Sequence, residues 1–152
     1  MQKLNLPSYP FRIKKENGKD VIFDELRKKY VRLTPEEWVR QNFIRFLINE
    51  KKYPVSLMAV EAAVNVNKNM LRADLVIFGK NGQPVMAVEF KAPSVKISQD
   101  TFNQIVRYNM NLRVNYLIVS NGLSHFCCKI DYPANSYQFL QEIPDFSVVQ
   151  SS

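Results

Sequence analysis

LRADLVIFGKNGQPVMAVEFKA, residues 71–92, decides how this chain folds. Residues 71–78 and 84–92 are runs rich in Val, Ile, Phe and Met, with Lys80-Asn81-Gly82-Gln83 between them. Asn-Gly between two apolar runs favours a two-residue type I′ turn, which needs positive φ at both positions. The pattern predicts a hairpin in which 80 faces 83 and 79 faces 84, so that paired residue numbers add to 163. In that register Asp74 faces Glu89 and Arg72 faces Lys91. Residues two apart share a face of a strand, so these four side chains point the same way, with opposed Cβ atoms ~5 Å apart. Val76, Phe78, Val85 and Ala87 lie on their face, and Leu75, Ile77, Met86, Val88 and Phe90 on the other. Strands apolar on both faces are internal ones, covered above and below.

Two carboxylates side by side in such a sheet repel each other at neutral pH. Compensation comes from Lys91 and Arg72, or from a divalent metal. Carboxylate oxygens suit Mg²⁺ or Mn²⁺, which keep several waters and take phosphate oxygens as further ligands. A structural charge cluster at the hairpin's end is the alternative that these residues leave open. A β-bulge would shift the register.

Outward from the hairpin, Thr34-Pro35-Glu36-Glu37 is a helix start: an N-cap, a proline at the first position and an acid at the third. Val39, Phe43, Phe46 and Leu47 follow as a buried stripe, and Tyr53-Pro54 ends the helix. Val60, Ala62, Val64 and Val66 alternate with Glu61, Ala63 and Asn65 as a strand. Ser98 caps a second helix over 99–112, with Phe102, Ile105, Val106 and Asn109 inward. Strands are predicted at 116–120, 123–130 and 136–140, and a hairpin at 11–15 and 21–23 around Asn17-Gly18. This order predicts an α/β fold, a mixed and mainly antiparallel central β-sheet flanked by α-helices.

The chain has 152 residues, 46 % hydrophobic and 23 % charged. That suits one globular domain and excludes a disordered chain; 4 Gly exclude a fibre. The net charge is +7, of which residues 1–32 carry +5 and residues 33–152 only +2. The division predicts a basic N-terminal extension, 1–32, with a hairpin, followed by the main domain, 33–152, in one compact unit. A basic excess points to an anionic partner, nucleic acid first, against a bland solvated surface. No segment has the apolar length of a membrane helix and the N-terminus has no signal-peptide core. Cys127 and Cys128 are adjacent and read as reduced thiols, so a cytoplasmic protein is expected. With His125 alone beside them they fall short of a zinc site.

Asp74 followed by Glu89-Phe90-Lys91 resembles the D…(D/E)-x-K signature of the PD-(D/E)xK nuclease superfamily. Gln104-Ile105-Val106-Arg107-Tyr108 is similar to the Q-x-x-x-Y motif of one branch, the N-terminal nuclease domain of type I restriction enzyme R subunits. Pro35-Glu36-Glu37-Trp38-Val39-Arg40-Gln41 resembles that branch's first-helix signature, and Tyr53-Pro54, Glu61, Arg72-Ala73-Asp74 and Ser120-Asn121-Gly122 fall where it has related residues. The resemblance spans roughly 23–144. It departs in Ala73, where the superfamily has proline, and in having no G-x-x-x-x-G-K-[ST] loop, so a nuclease module standing alone, without the ATP-driven motor, is expected.

The resemblance implies a restriction-endonuclease-like fold and an Mg²⁺- or Mn²⁺-dependent endonuclease hydrolysing DNA phosphodiester bonds. Asp74, Glu89 and the Phe90 carbonyl would hold the metal, and Lys91 would orient the attacking water or stabilise the growing charge. Gln104 and Tyr108, four apart on one helix face, would sit beside the site. Glu37 is a candidate further ligand, with Glu36 as its rival and a capping-box role as its alternative. Arg40 and Gln41 are candidates for phosphate contact or for buttressing the site. Arg72, Arg27, Lys28 and Lys29 are candidate DNA contacts, against a solvated charge run. Glu61 would approach Asp74 or pair with Arg72. A specificity or motor subunit would supply targeting. The alternative is a non-catalytic nucleic-acid-binding or partner-docking module of a restriction, defence or repair assembly.

Overall fold

The turn chemistry of Asn17-Gly18 sets the first two strands. The structure, a computed structural model, describes residues 1–66 and 69–150. Strands β1 (Ile13–Glu16), β2 (Lys19–Asp24) and β3 (Lys29–Arg32) form a small antiparallel sheet. Asn17 and Gly18 join β1 to β2 with φ of 52° and 77°, the two-residue turn that the dipeptide favours. β3 is an addition to the sequence reading, because four residues are too few to show a period.

Helix α1 (Pro35–Asn49) starts as its cap dictates: the Glu37 N–H donates to Thr34 Oγ1 at 3.0 Å. Val39, Phe43 and Leu47 are fully buried and Phe46 is partly so. After a 3₁₀ turn (Val55–Leu57) come β4 (Met58–Val66), β5 (Asn69–Phe78) and β6 (Pro84–Phe90). The side chains of Val64 and Val66 lie outside the described residues. Helix α2 (Gln99–Met110), capped by Ser98, leads to β7 (Tyr116–Ser120), β8 (His125–Asp131) and β9 (Ser136–Leu140), and a last turn, α3 (Phe146–Val149), completes the described chain.

β4 to β9 form one sheet in chain order, antiparallel except where α2 crosses over between the parallel β6 and β7. α1 packs on β6 from one side and α2 on β7 from the other. Leu75, Ile77, Met86, Val88 and Phe90 join α1's stripe in one core. Val76, Ala87, Leu117 and Val119 join Phe102 and Val106 of α2 in the second. The mixed sheet covered on both faces is the architecture that the sequence predicts.

The tip of the central hairpin differs from expectation in a way that cancels. Only Gly82 has positive φ, 83°, so Asn81-Gly82 does not form a type I′ turn. The Gly79 N–H donates to the Gln83 carbonyl at 2.8 Å, and Phe78 faces Pro84, which moves the register by one. A bulge between Ile77 and Phe78 moves it back. Ile77 then faces Met86, Val76 faces Ala87 and Leu75 faces Val88, all in the predicted register. The bulge also turns Val85 to the α1 side, away from the face expected for it.

The N-terminal residues are tied to the main sheet. The Asn5 N–H donates to the Gly122 carbonyl at 2.8 Å and Trp38 Nε1 donates to the Gln2 carbonyl at 2.8 Å. Leu4 is buried against Gly122, where a Cβ would sit 2.7 Å from the leucine and φ is +85°. His125 is held between Ser120 Oγ (2.7 Å) and the Asn5 carbonyl (2.9 Å), and Cys127 and Cys128 are buried free thiols.

Candidate active site

Asp74 and Glu89 meet where the central hairpin opens. The β5–β6 ladder stops at Leu75 and Val88, and beyond it the Phe90 N–H donates to Asp74 Oδ2 at 2.8 Å. The side chain of Asp74 therefore takes the place of a ladder partner. Val60 faces Leu75 and Ala62 faces Ala73, but the pair between them, Glu61 and Asp74, drops out of the β4–β5 ladder. Glu61 has a φ of 50°, a conformation that side chains other than glycine's seldom adopt. Ala73 packs with Val76 on the α2 side, so simple alternation fails at Asp74. Local distortion of two strands thus frees this carboxylate to face α1 as well as Glu89.

Glu89 is mostly buried and lies where it feels both Asp74 and Asn109 of α2. Burial, and then the charge of Asp74, push its carboxyl up to about 8, with Lys91 and Asn109 pulling the other way. Without a cation Glu89 thus favours its protonated form, and carboxylate oxygens such as those of Asp74 and Glu89 suit Mg²⁺ or Mn²⁺. Burial and Asp74 also raise the carboxyl of Glu36, while Arg40 and Lys91 lower it. Among the described residues no three His, Cys, Asp or Glu side chains gather as a ready ligand cluster. Lys91 follows β6, its N–H donating to the Ser120 carbonyl at 2.9 Å.

Behind Asp74 lies a network of ion pairs. Arg40, 5 % exposed, reaches Glu37 at 2.7 Å, Glu36 at 3.4 Å, Glu61 at 3.6 Å and Asp74 at 3.7 Å. Arg27 donates to both oxygens of Glu37 (2.9 and 3.0 Å), pairs with Glu61 at 3.6 Å and bonds Asp24. Gln41 donates to Glu37 at 2.9 Å. Glu37 is thereby saturated by three side chains, and Glu36 is an α1 acid that feels the charge of Asp74. Arg27, Arg40 and Gln41 are committed to carboxylates and two of them are buried, which suits buttressing rather than phosphate contact. Lys28 and Lys29 remain exposed. Glu61 lies across from Asp74 and pairs with Arg27 and Arg40, not with Arg72.

On the α2 side, Arg72, Glu89, Gln104, Ile105, Tyr108 and Asn109 line one shallow cavity. Gln104 and Tyr108 are exposed at it, and the Arg72 N–H points to the Tyr108 hydroxyl at 3.5 Å. Asn109 is fully buried, donates to the Ile105 carbonyl at 2.9 Å and leaves its Oδ1 without a partner. Sequence reasoning counted it only as an inward residue. A fully polar side chain in an apolar helix stripe was the signal.

A mixed six-stranded sheet flanked by α1 and α2 is a restriction-endonuclease-like α/β fold. The model of the family "Type I restriction enzyme R protein N terminus (HSDR_N)" matches residues 35–144, and the chain belongs to that family. Among solved structures it is similar to a fragment described as an HsdR subunit of a type I restriction enzyme from Vibrio vulnificus YJ016. The TM-score is 0.55 at 17 % identity, over 78 % of this chain and 25 % of that one, a likeness of fold. No curated protein matches the chain.

Proposed function

We propose that the chain is a metal-dependent endonuclease that hydrolyses DNA phosphodiester bonds, with Asp74, Glu89 and the Phe90 carbonyl as ligands of Mg²⁺ or Mn²⁺. The observation that carries this reading is the bond from the Phe90 N–H to Asp74, which holds that carboxylate beside the residue next to Glu89, whose carboxyl burial and the charge of Asp74 raise to about 8. A bound divalent cation supplies Lewis acidity, polarising the scissile phosphate and making a water more acidic. Lys91 presents its ammonium group beside the same acids, to orient the attacking water or to offset charge that grows on the phosphate. Glu36 is the α1 acid that serves the site, in place of the saturated Glu37. Gln104, Tyr108 and Arg72 border the cavity next to Glu89 and contact the substrate strand. Lys28 and Lys29 add exposed cations for phosphate, and a specificity or motor subunit supplies targeting.

Supercoiled plasmid incubated with the protein in Mg²⁺ or Mn²⁺ tests this. Nicking by the wild type is expected, with Lys91→Ala and Asp74→Asn slower by at least about 10²-fold, the size seen when one charge-stabilising donor is removed. Equal traces from wild type and both variants would leave a non-catalytic module.

A further inference from the structure

We infer that the outer face of the β1–β2–β3 sheet is a nucleic-acid backbone surface, an extension of the site built by residues outside the stretch matched by the family model. It rests on the proposed function only in taking DNA as the polyanion.

The sheet has two unlike faces. Ile22 and Asp24 are buried against the body of the protein. Facing away are two cross-strand rows. Lys14, Val21 and Arg32 form one, by direct register. The other holds Phe23 and Tyr30, which face each other, with Arg12 bonded through its carbonyl to the Phe23 N–H at 2.9 Å. The rings of Phe23 and Tyr30 meet edge to face at 5.2 Å. The Arg12 guanidinium stands over Phe23 and the Lys14 ammonium over Tyr30, each 4.1 Å from the ring centroid.

A cation held over an aromatic ring keeps its charge while losing little further freedom on meeting a phosphate. The acids nearby compete weakly: Glu25 lies 3.8 Å from Arg12 and Glu16 3.9 Å from Lys14, each side chain about half exposed or more. Arg32 has no ion pair among the described residues. The face is thus rich in positive charge within a segment that carries +5 of the chain's +7. It is also fixed in position, because Arg27, between β2 and β3, joins Glu37 and Glu61 beside Asp74. Strand contacts here are to phosphate, so binding is independent of base sequence.

The test is fluorescence anisotropy of short duplex DNA, in two unrelated sequences, titrated with the full chain in EDTA, so that cleavage plays no part. The variants are the triple Arg12→Gln/Lys14→Gln/Arg32→Gln, the single Lys14→Glu, and a charge-matched control, Lys52→Gln/Lys80→Gln/Lys129→Gln, at exposed lysines elsewhere. Thermal melting checks that all are folded. With about 0.9 counterions released per phosphate contact, the triple variant is expected to flatten the log–log salt slope by roughly 2–3 and to weaken binding at low salt by at least about 10-fold. Lys14→Glu is expected to weaken both duplexes equally, and the control to match the wild type. Equal affinity and slope in the triple variant and the wild type would overturn the inference and leave the face to a protein partner. A wild type that binds in this way yet never cleaves would overturn the nuclease reading alone.

Discussion

Glu89 carries the site's pH dependence. Its carboxyl lies at about 8 in the fold against an ordinary 4.5, so the native state holds a proton that the unfolded chain has lost. Stability from this group is present in acid and is lost as pH rises through the window up to about 8, by at most about 1.4 kcal/mol per pH unit. His125, buried and held below its ordinary 6.5, acts with the opposite sign and only below that value. Melting in EDTA between pH 6.5 and 8 is therefore expected to show a falling Tm for the wild type and a level one for Glu89→Gln, with Mg²⁺ removing the fall. A level wild-type curve counts against the buried acid pair. The two acids of α1 separate by the same means. Glu37→Gln leaves Arg27 and Arg40 short of a charge and is expected to cost roughly 3–5 kcal/mol in denaturant unfolding. Glu36→Gln, at a half-exposed side chain, is expected to stay within about 0.5 kcal/mol while lowering cleavage.

The central hairpin and the first helix show what was legible at the level of elements. Thr34-Pro35-Glu36-Glu37 predicts α1 correctly because capping is local: Thr34→Ala is expected to cost about 1 kcal/mol in the same unfolding measurement. The Asn-Gly rule succeeds at residues 17–18, where short flanking strands leave the turn to choose. It fails at 81–82, where Pro84 and the bulge at the tip reshape the turn. The predicted register survives from Ile77 and Met86 to Leu75 and Val88 because two one-residue shifts oppose each other, a cancellation that no local pattern announces. Nor does alternation reveal the positive φ of Glu61 or the turning of Asp74 toward Arg40, since both depend on α1 lying across β4 and β5. For the same reason Arg27 reads as a surface cation for DNA, and Arg40 reads equally as a phosphate contact or a buttress. Their carboxylate partners come from distant parts of the chain, and only the packed elements bring them together.

Across the whole molecule, two cores hold one mixed sheet between α1 and α2, and the site opens where the central strands part. The family and the fold were readable because the motifs sit at fixed places on these elements. The chain's charge was readable only as a total: its use divides between an internal network, which takes Arg27 and Arg40, and the outer face of the small sheet. No helix among the described residues is long and apolar enough to cross a membrane. The claim on which the function rests is that Asp74 and Glu89 together hold a divalent cation. Crystals of the full chain soaked in Mn²⁺ test it by anomalous scattering. The expected result is one strong peak about 2.0–2.3 Å from oxygens of both Asp74 and Glu89, lost in Asp74→Asn. A map without a peak between them, under conditions in which the protein cleaves DNA, would contradict it.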